Sequence, residues 1–168
     1  NAMDNGVELK RNFAVTAIER KDDVFTVTAA DGSTVQGKYL VNCAGAYSDR
    51  IAEMAGDGFF TIIPRAGEYM LLDKAEGSRV ARTLFQCPTK EGKGILVSPT
   101  VHGNLLVGPT AKQVATPDSK DTTPAGLAEV ERLAAKSVPS VNFRQVITSF
   151  TGVRASSQNG DFILQASE

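Results

Sequence analysis

The sequence has no tryptophan, a single histidine (His102), two cysteines (Cys43 and Cys87) and no excess of charge, with 18 Lys+Arg against 19 Asp+Glu. Each scarcity removes a class of function. Binding to nucleic acid by phosphate neutralisation needs a basic excess, and a polybasic membrane-surface protein needs a local cationic run. Neither is present. Zinc sites draw three or four His, Cys or carboxylate ligands from close spacing, and a hydrolytic triad needs a histidine beside its nucleophile. One histidine, in the Val101-His102-Gly103 turn, serves neither. The cysteines stand apart with no CxxC, so two reduced thiols in a cytoplasmic protein are the simpler reading, and no disulfide is required by their spacing. No uninterrupted apolar run approaches the ~18 residues of a membrane span. GxGxxG is absent as well, so a self-sufficient dinucleotide-binding domain is not encoded. The Gly103 to Gly108 spacing imitates a phosphate loop, but Pro109 and Thr110 follow where Lys and Ser/Thr belong. A hairpin explains those glycines better.

What the sequence does hold is a core: 42% of its 168 residues are hydrophobic, a proportion that suits a folded globular chain. Asn1-Ala2-Met3 reads as a tag remnant and initiator Met, which puts the start of the fold near Asp4. From there the pattern predicts an α+β fold, a mixed, mainly antiparallel sheet with one long and one short helix.

Strands over Asn12 to Arg20, Val24 to Ala29 and Ser33 to Gln36 form a meander, with turns at Lys21-Asp22-Asp23 and Asp31-Gly32. Tyr39 to Ala44 is apolar without alternation and is expected to be a strand buried on both faces, with Cys43 a small hydrophobe inside it. A short helix follows over Arg50 to Ala55, capped by Ser48. Phe59 to Ile63 is extended, Pro64 to Gly67 interrupts it, and Glu68 to Asp73 resumes. Val80 to Gln86 is another strand. Gly94 to Ser98 and Asn104 to Gly108 form a hairpin, and Lys112 to Thr122 is a loop. The long helix has Thr123 as N-cap, Pro124 at its first position, an apolar face of Leu127, Val130, Leu133, Ala134 and Val138, and a stop at Pro139. Strands over Arg144 to Val153 and Asp161 to Gln165 complete the pattern.

The segment from Tyr39 to Arg50 (YLVNCAGAYSDR), preceded by a meander containing Val15 and Ile18, resembles the middle of the FAD-dependent oxidoreductases of the D-amino-acid oxidase and glycerol-3-phosphate dehydrogenase superfamily. Pro64 to Asp73 (PRAGEYMLLD), Gly94 to Thr100 (GILVSPT), Asn104 to Thr110 (NLLVGPT) and Phe150 to Arg154 (FTGVR) follow in that family's order. The resemblance extends over nearly the whole chain and is nearest the glycerol-3-phosphate dehydrogenase and L-2-hydroxyglutarate oxidase branch.

It implies that these residues are a central part of such an enzyme: residues 4–58 the edge of the FAD domain and residues 59–168 the substrate-binding domain. The segments that hold the FAD pyrophosphate and close over the flavin are not among them, so the 168 residues alone are expected to bind FAD weakly, to be catalytically silent and to self-associate through exposed patches and edges.

By the same resemblance Val15 offers backbone groups to the adenine edge and Ala44-Gly45 lets backbone approach the cofactor, where a longer side chain would hold it away. Arg154 holds the anionic end of a small substrate, since a guanidinium grips carboxylate or phosphate as a planar fork. Ala155 stands where the family usually has proline. Tyr69 is a second substrate candidate, although packing in the sheet explains it too, and Arg65 is a possible second cation although solvent exposure is common at a strand break. An exposed turn suits His102 better than a catalytic role, and no catalytic base or metal ligand is assigned. The parent activity implied is hydride transfer to flavin from a small anionic substrate, glycerol 3-phosphate or a 2-hydroxy acid. The rival reading is a stand-alone β-rich ligand-binding or scaffolding domain without catalysis.

Overall fold

The computed structural model describes residues 1–88 and 94–164, an α+β fold with antiparallel sheets and two α-helices. The chain divides into two compact units, residues 1–62 with 157–168, and residues 63–156.

In the first unit β1 (Val15–Lys21), β2 (Val24–Ala29) and β3 (Thr34–Gly37) form the expected meander in the order β1-β2-β3. Asp22 and Asp23, with φ of 48° and 62°, bridge the Lys21–Val24 pair. Aspartate is among the few residues that tolerate this left-handed backbone, and such a two-residue turn matches the twist of a hairpin. At the second turn the Asp31 carboxylate accepts from the N–H and the hydroxyl of Ser33. The short helix α1 (Ser48–Met54) packs against β1 and buries Ala52. Its cap differs from the expected serine: Tyr47 holds the N-cap position without a side-chain bond to the helix N–H groups, and the Ser48 hydroxyl donates to the Gly45 carbonyl.

Tyr39 to Ala44 is not a strand. Tyr39 and Val41 are 91% and 80% exposed, and Cys43 is exposed rather than buried. A strand buried on both faces needs neighbours on both sides, and among the described residues none lies alongside. Asn42 instead ties the segment to itself, donating to the Ser48 carbonyl and accepting from Ala44 N–H. Residues 161–164 of the anticipated last strand are likewise irregular, with Phe162 and Leu164 exposed; Gln165 lies outside the described residues.

The second unit holds most of the core. Its sheet runs β5 (Leu96–Pro99), β6 (Leu105–Gly108), β4 (Ile62–Leu72, which begins at the unit boundary) and β7 (Lys112–Gln113), and β8 (Val146–Ser157) also pairs with β4. Pro64 does not break β4 as the sequence suggests. The β7 ladder pairs Arg65 and Ala66, and just beyond it the Pro64 carbonyl accepts from Val114 N–H, so the strand continues through the proline on one bond. Val80 to Gln86 contributes only an isolated bridge, Leu84 to Val97, because β5 is four residues long and offers little to pair with.

Helix α2 (Pro124–Ser137) starts as its sequence requires, with the Thr123 hydroxyl accepting from Gly126 N–H at 3.0 Å. Val130, Ala134 and Val138, one turn apart, pack with Met70 and Leu72 of β4, Val97 of β5 and Leu105 and Val107 of β6. The hairpin between β5 and β6 leaves Val101 and His102 exposed, and the Asn104 amide donates to the Leu72 carbonyl at 3.0 Å.

Two buried carboxylates tie the irregular parts of this unit to the core. Glu76, 3% exposed, accepts from Nε and Nη2 of Arg79, at 2.8 and 2.9 Å, and from the Asn142 N–H at 3.0 Å. Glu68, 5% exposed, accepts Thr123 N–H at 2.8 Å and the Thr123 hydroxyl at 3.0 Å.

The Glu68–Thr123 contact gives a first prediction. Glu68→Ala strands the Thr123 donors and should cost about 1–3 kcal/mol, Thr123→Ala about 1 kcal/mol, and the double variant less than their sum. Urea unfolding of the four proteins measures this, and simple additivity would mean that the two groups do not cooperate.

The second prediction concerns pH. The bond from Arg79, aided by Asn142 N–H, holds the Glu76 carboxyl below its ordinary value of about 4.5. A carboxyl whose pKa folding lowers stabilises the fold fully above about pH 4.5, and loses that contribution as pH falls through the folded value. The melting temperature should therefore fall more steeply on acidification in the wild type than in Glu76→Gln, with the gap between them closing. Parallel melting curves at all pH values would exclude this role.

Candidate functional site

Strand β4 has two faces with different duties. Glu68, Met70 and Leu72 turn to the helix and core, whereas Tyr69 lies on the other side and stacks on Phe150 of β8, with ring centroids 5.1 Å apart and 12° between planes. Between β4, the segment after β6 and the end of β8 lies an open pocket of about 230 Å³, whose lining includes Arg65, Gly67, Tyr69, Pro109, Thr110 and Arg154.

The structure thus brings the three substrate candidates read from the sequence to one place. Arg65 is exposed, as a residue beside proline would suggest, yet its guanidinium also reaches the Ala111 carbonyl at 3.4 Å across the pocket wall. Arg154 is exposed and makes no ion pair among the described residues, so the surface salt bridge that commonly explains an arginine is not seen here. Tyr69 is half-buried by its stacking and still contributes to the lining. No Asp or Glu lines the pocket among the described residues. Its charged lining is therefore cationic.

The wall depends on a close approach. A Cβ at Gly67 would stand 2.7 Å from the Pro109 side chain and 3.0 Å from the Thr110 carbonyl. Only glycine lets the two segments meet this closely. There Thr110, 3% exposed, exchanges two bonds with Glu68: its hydroxyl accepts Glu68 N–H at 3.0 Å and its N–H donates to the Glu68 carbonyl at 3.2 Å. Sequence reasoning missed Thr110 as a lining residue. The available signal was its place at the end of Leu105-Leu106-Val107-Gly108-Pro109-Thr110, where an apolar strand gives way to a polar side chain.

The three cofactor candidates lie in the first unit. Val15 is half-buried and pairs with Ala29 at the start of β1, an edge strand of the meander. Ala44 is half-buried; Gly45 is exposed, has φ of +58° and would have nothing within 4 Å of an added Cβ. Glycine is thus favoured at 45 by backbone conformation, with open space beside it for an approaching molecule. Neither the edge of β1 nor this turn carries a glycine-rich pyrophosphate loop.

Among the described residues no group of three or more His, Cys, Asp and Glu is disposed to hold a metal ion. No described helix is long and apolar enough to cross a membrane.

Comparison with known proteins gives this geometry a context. The chain is 43% identical over 165 residues to a glycerol 3-phosphate dehydrogenase of Caloramator mitchellensis, a match covering 98% of this chain and 34% of that protein. It is 31% identical to a glycerol 3-phosphate oxidase of Mycoplasma genitalium, covering 99% of this chain and 45% of the relative. Among solved structures, the dithionite-reduced L-alpha-glycerophosphate oxidase of Mycoplasma pneumoniae with FAD bound superposes with a TM-score of 0.86 at 29% identity, covering 99% of this chain and 44% of that one. The chain therefore spans between a third and a half of the length of these relatives. Residues 1–168 match the family described as DAO, FAD dependent oxidoreductase, and the chain belongs to that family.

Proposed function

We propose that the protein carrying this chain oxidises glycerol 3-phosphate by hydride transfer to FAD, and that the pocket of residues 63–156 receives the substrate's phosphate. The observation that supports this reading is the convergence of Arg65, Tyr69 and Arg154 on one pocket without a lining carboxylate. Arg154 acts as the principal anion clamp, because its guanidinium has no competing ion pair among the described residues. Arg65 adds a second positive charge. The Tyr69 ring, held by Phe150, forms a firm wall and brings a phenol that can donate a hydrogen bond.

A phosphomonoester carries close to two negative charges near neutral pH and presents three terminal oxygens, against one charge and two oxygens for a carboxylate. Two guanidiniums suit the former, which favours glycerol 3-phosphate over a 2-hydroxy acid. The kinship with a glycerol 3-phosphate dehydrogenase at 43% identity points the same way.

FAD, when bound, supplies the hydride acceptor. Val15 and Ala44-Gly45 would meet it through their backbone. The 168 residues by themselves, having no pyrophosphate loop, would hold FAD weakly and not turn over substrate. Cys43 and Cys87 are free and exposed, a condition that a reducing compartment preserves and that supports a cytoplasmic setting.

The test uses the FAD-loaded protein that carries this sequence. Glycerol 3-phosphate should bleach the flavin absorbance while a 2-hydroxy acid leaves it unchanged. Arg154→Ala should raise KM about ten- to a hundredfold, the loss expected for a charge-assisted contact, with flavin content intact. Wild-type kinetics in that variant would remove Arg154 from the site, and bleaching only by the 2-hydroxy acid would replace the substrate.

A further inference from the structure

The proposed phosphate site leaves one neighbouring group unexplained. Thr110 lines the pocket, yet it is 3% exposed, so its hydroxyl is largely cut off from bulk water. A threonine hydroxyl has one proton to donate and two lone pairs to offer. One lone pair accepts Glu68 N–H at 3.0 Å; the proton has no acceptor among the described residues. Thr110 lines the pocket, so an acceptor for that proton can come from a ligand held there. The Arg65 guanidinium is anchored on the carbonyl of Ala111, the residue next to Thr110, at 3.4 Å. The unspent proton and the cation therefore belong to the same stretch of wall.

We propose that the Thr110 hydroxyl is a specificity-determining contact, donating to a terminal oxygen of the bound phosphate in concert with Arg65 and Arg154. This deepens the phosphate reading of the pocket and rests on it. The bond from Glu68 N–H holds the oxygen and leaves the hydroxyl proton free to rotate. The two backbone-side bonds to Glu68 also hold Thr110 in register with β4, and Glu68 is itself locked to α2. The donor is thus positioned before any ligand arrives, which lowers the ordering cost of binding.

Titration calorimetry of the FAD-loaded protein with inorganic phosphate, together with its steady-state KM for glycerol 3-phosphate, provides the test. Thr110→Val keeps the shape but removes the whole hydroxyl, the proposed donor to phosphate together with the acceptor of Glu68 N–H, whereas Thr110→Ser keeps both. Thr110→Val should weaken phosphate binding about tenfold, while Thr110→Ser restores near-wild-type affinity. Steady-state kinetics should show the loss in KM with kcat little changed, a split that general loosening of the wall would not give. Should Thr110→Val not fold, Thr110→Cys, whose thiol donates weakly, carries the same expectation against Thr110→Ser. If Arg154→Ala weakens phosphate and a folded Thr110→Val does not, the Thr110 contact is overturned and the phosphate reading stands. If neither variant affects phosphate binding, that reading fails and this inference fails with it.

Discussion

The second unit is organised around a buried carboxylate at the junction of a strand and a helix. Removing the Glu68 carboxyl from water would be prohibitive without partners, and both oxygens are supplied from Thr123 at the start of α2. The arrangement favours both sides. Glu68 offers negative charge to the positive end of the helix and gives Thr123 donors an acceptor, while the Thr123 hydroxyl passes the chain of bonds on to Gly126 N–H. Gly126 is required by this contact, since a Cβ there would occupy the space of the Glu68 carboxylate. Helix and strand are consequently fixed in register as well as packed, which an apolar seam of Val130, Ala134 and Leu72 could not do alone.

That fixation is what gives β4 a second use. With Glu68, Met70 and Leu72 committed to the helix side, Tyr69 is left on the opposite face, where stacking on Phe150 links β4 to β8. Arg154 follows on the same strand β8, four positions beyond Phe150. Structural and functional demands are thereby divided between alternate residues of one strand. A register slip of one residue would carry Tyr69 into the helix interface and Glu68 into the pocket, so the buried pair that stabilises the fold also protects the site.

The parts of this design that are local were legible in the sequence. The Asp22-Asp23 and Asp31-Gly32 turns, the hairpin around His102 and the Thr123-Pro124 start of α2 follow from residue types within a few positions of each other. Arg154, Tyr69 and Arg65 were singled out from the sequence, and only the fold shows that they share a pocket. The parts that failed depend on distant neighbours. Tyr39 to Ala44 has the composition of an interior strand, but composition cannot supply the flanking strands that would make it one. Pro64 looked like a break because its missing N–H is visible in the sequence, whereas the Val114 N–H that still bonds its carbonyl lies fifty residues away. Glu68 and Thr110 each act across more than forty residues of sequence, a separation at which periodicity and turn chemistry carry no signal.

Under the proposed function, the two arginines account for how an open pocket favours an anion. An exposed guanidinium is well hydrated and gains little from a surface partner, so leaving Arg154 unpaired costs the free protein almost nothing. The balance changes once an anion fills the space between the strands and displaces water, because the same charges then act through a medium of lower dielectric constant. Against a neutral ligand the cations would lose hydration without return, and against a cation they would repel. Selectivity for anions therefore needs no enclosed cavity in the empty protein. It needs guanidiniums held on a wall that does not yield, and the Glu68 lock, the close contact at Gly67 and the Tyr69–Phe150 stack provide that wall.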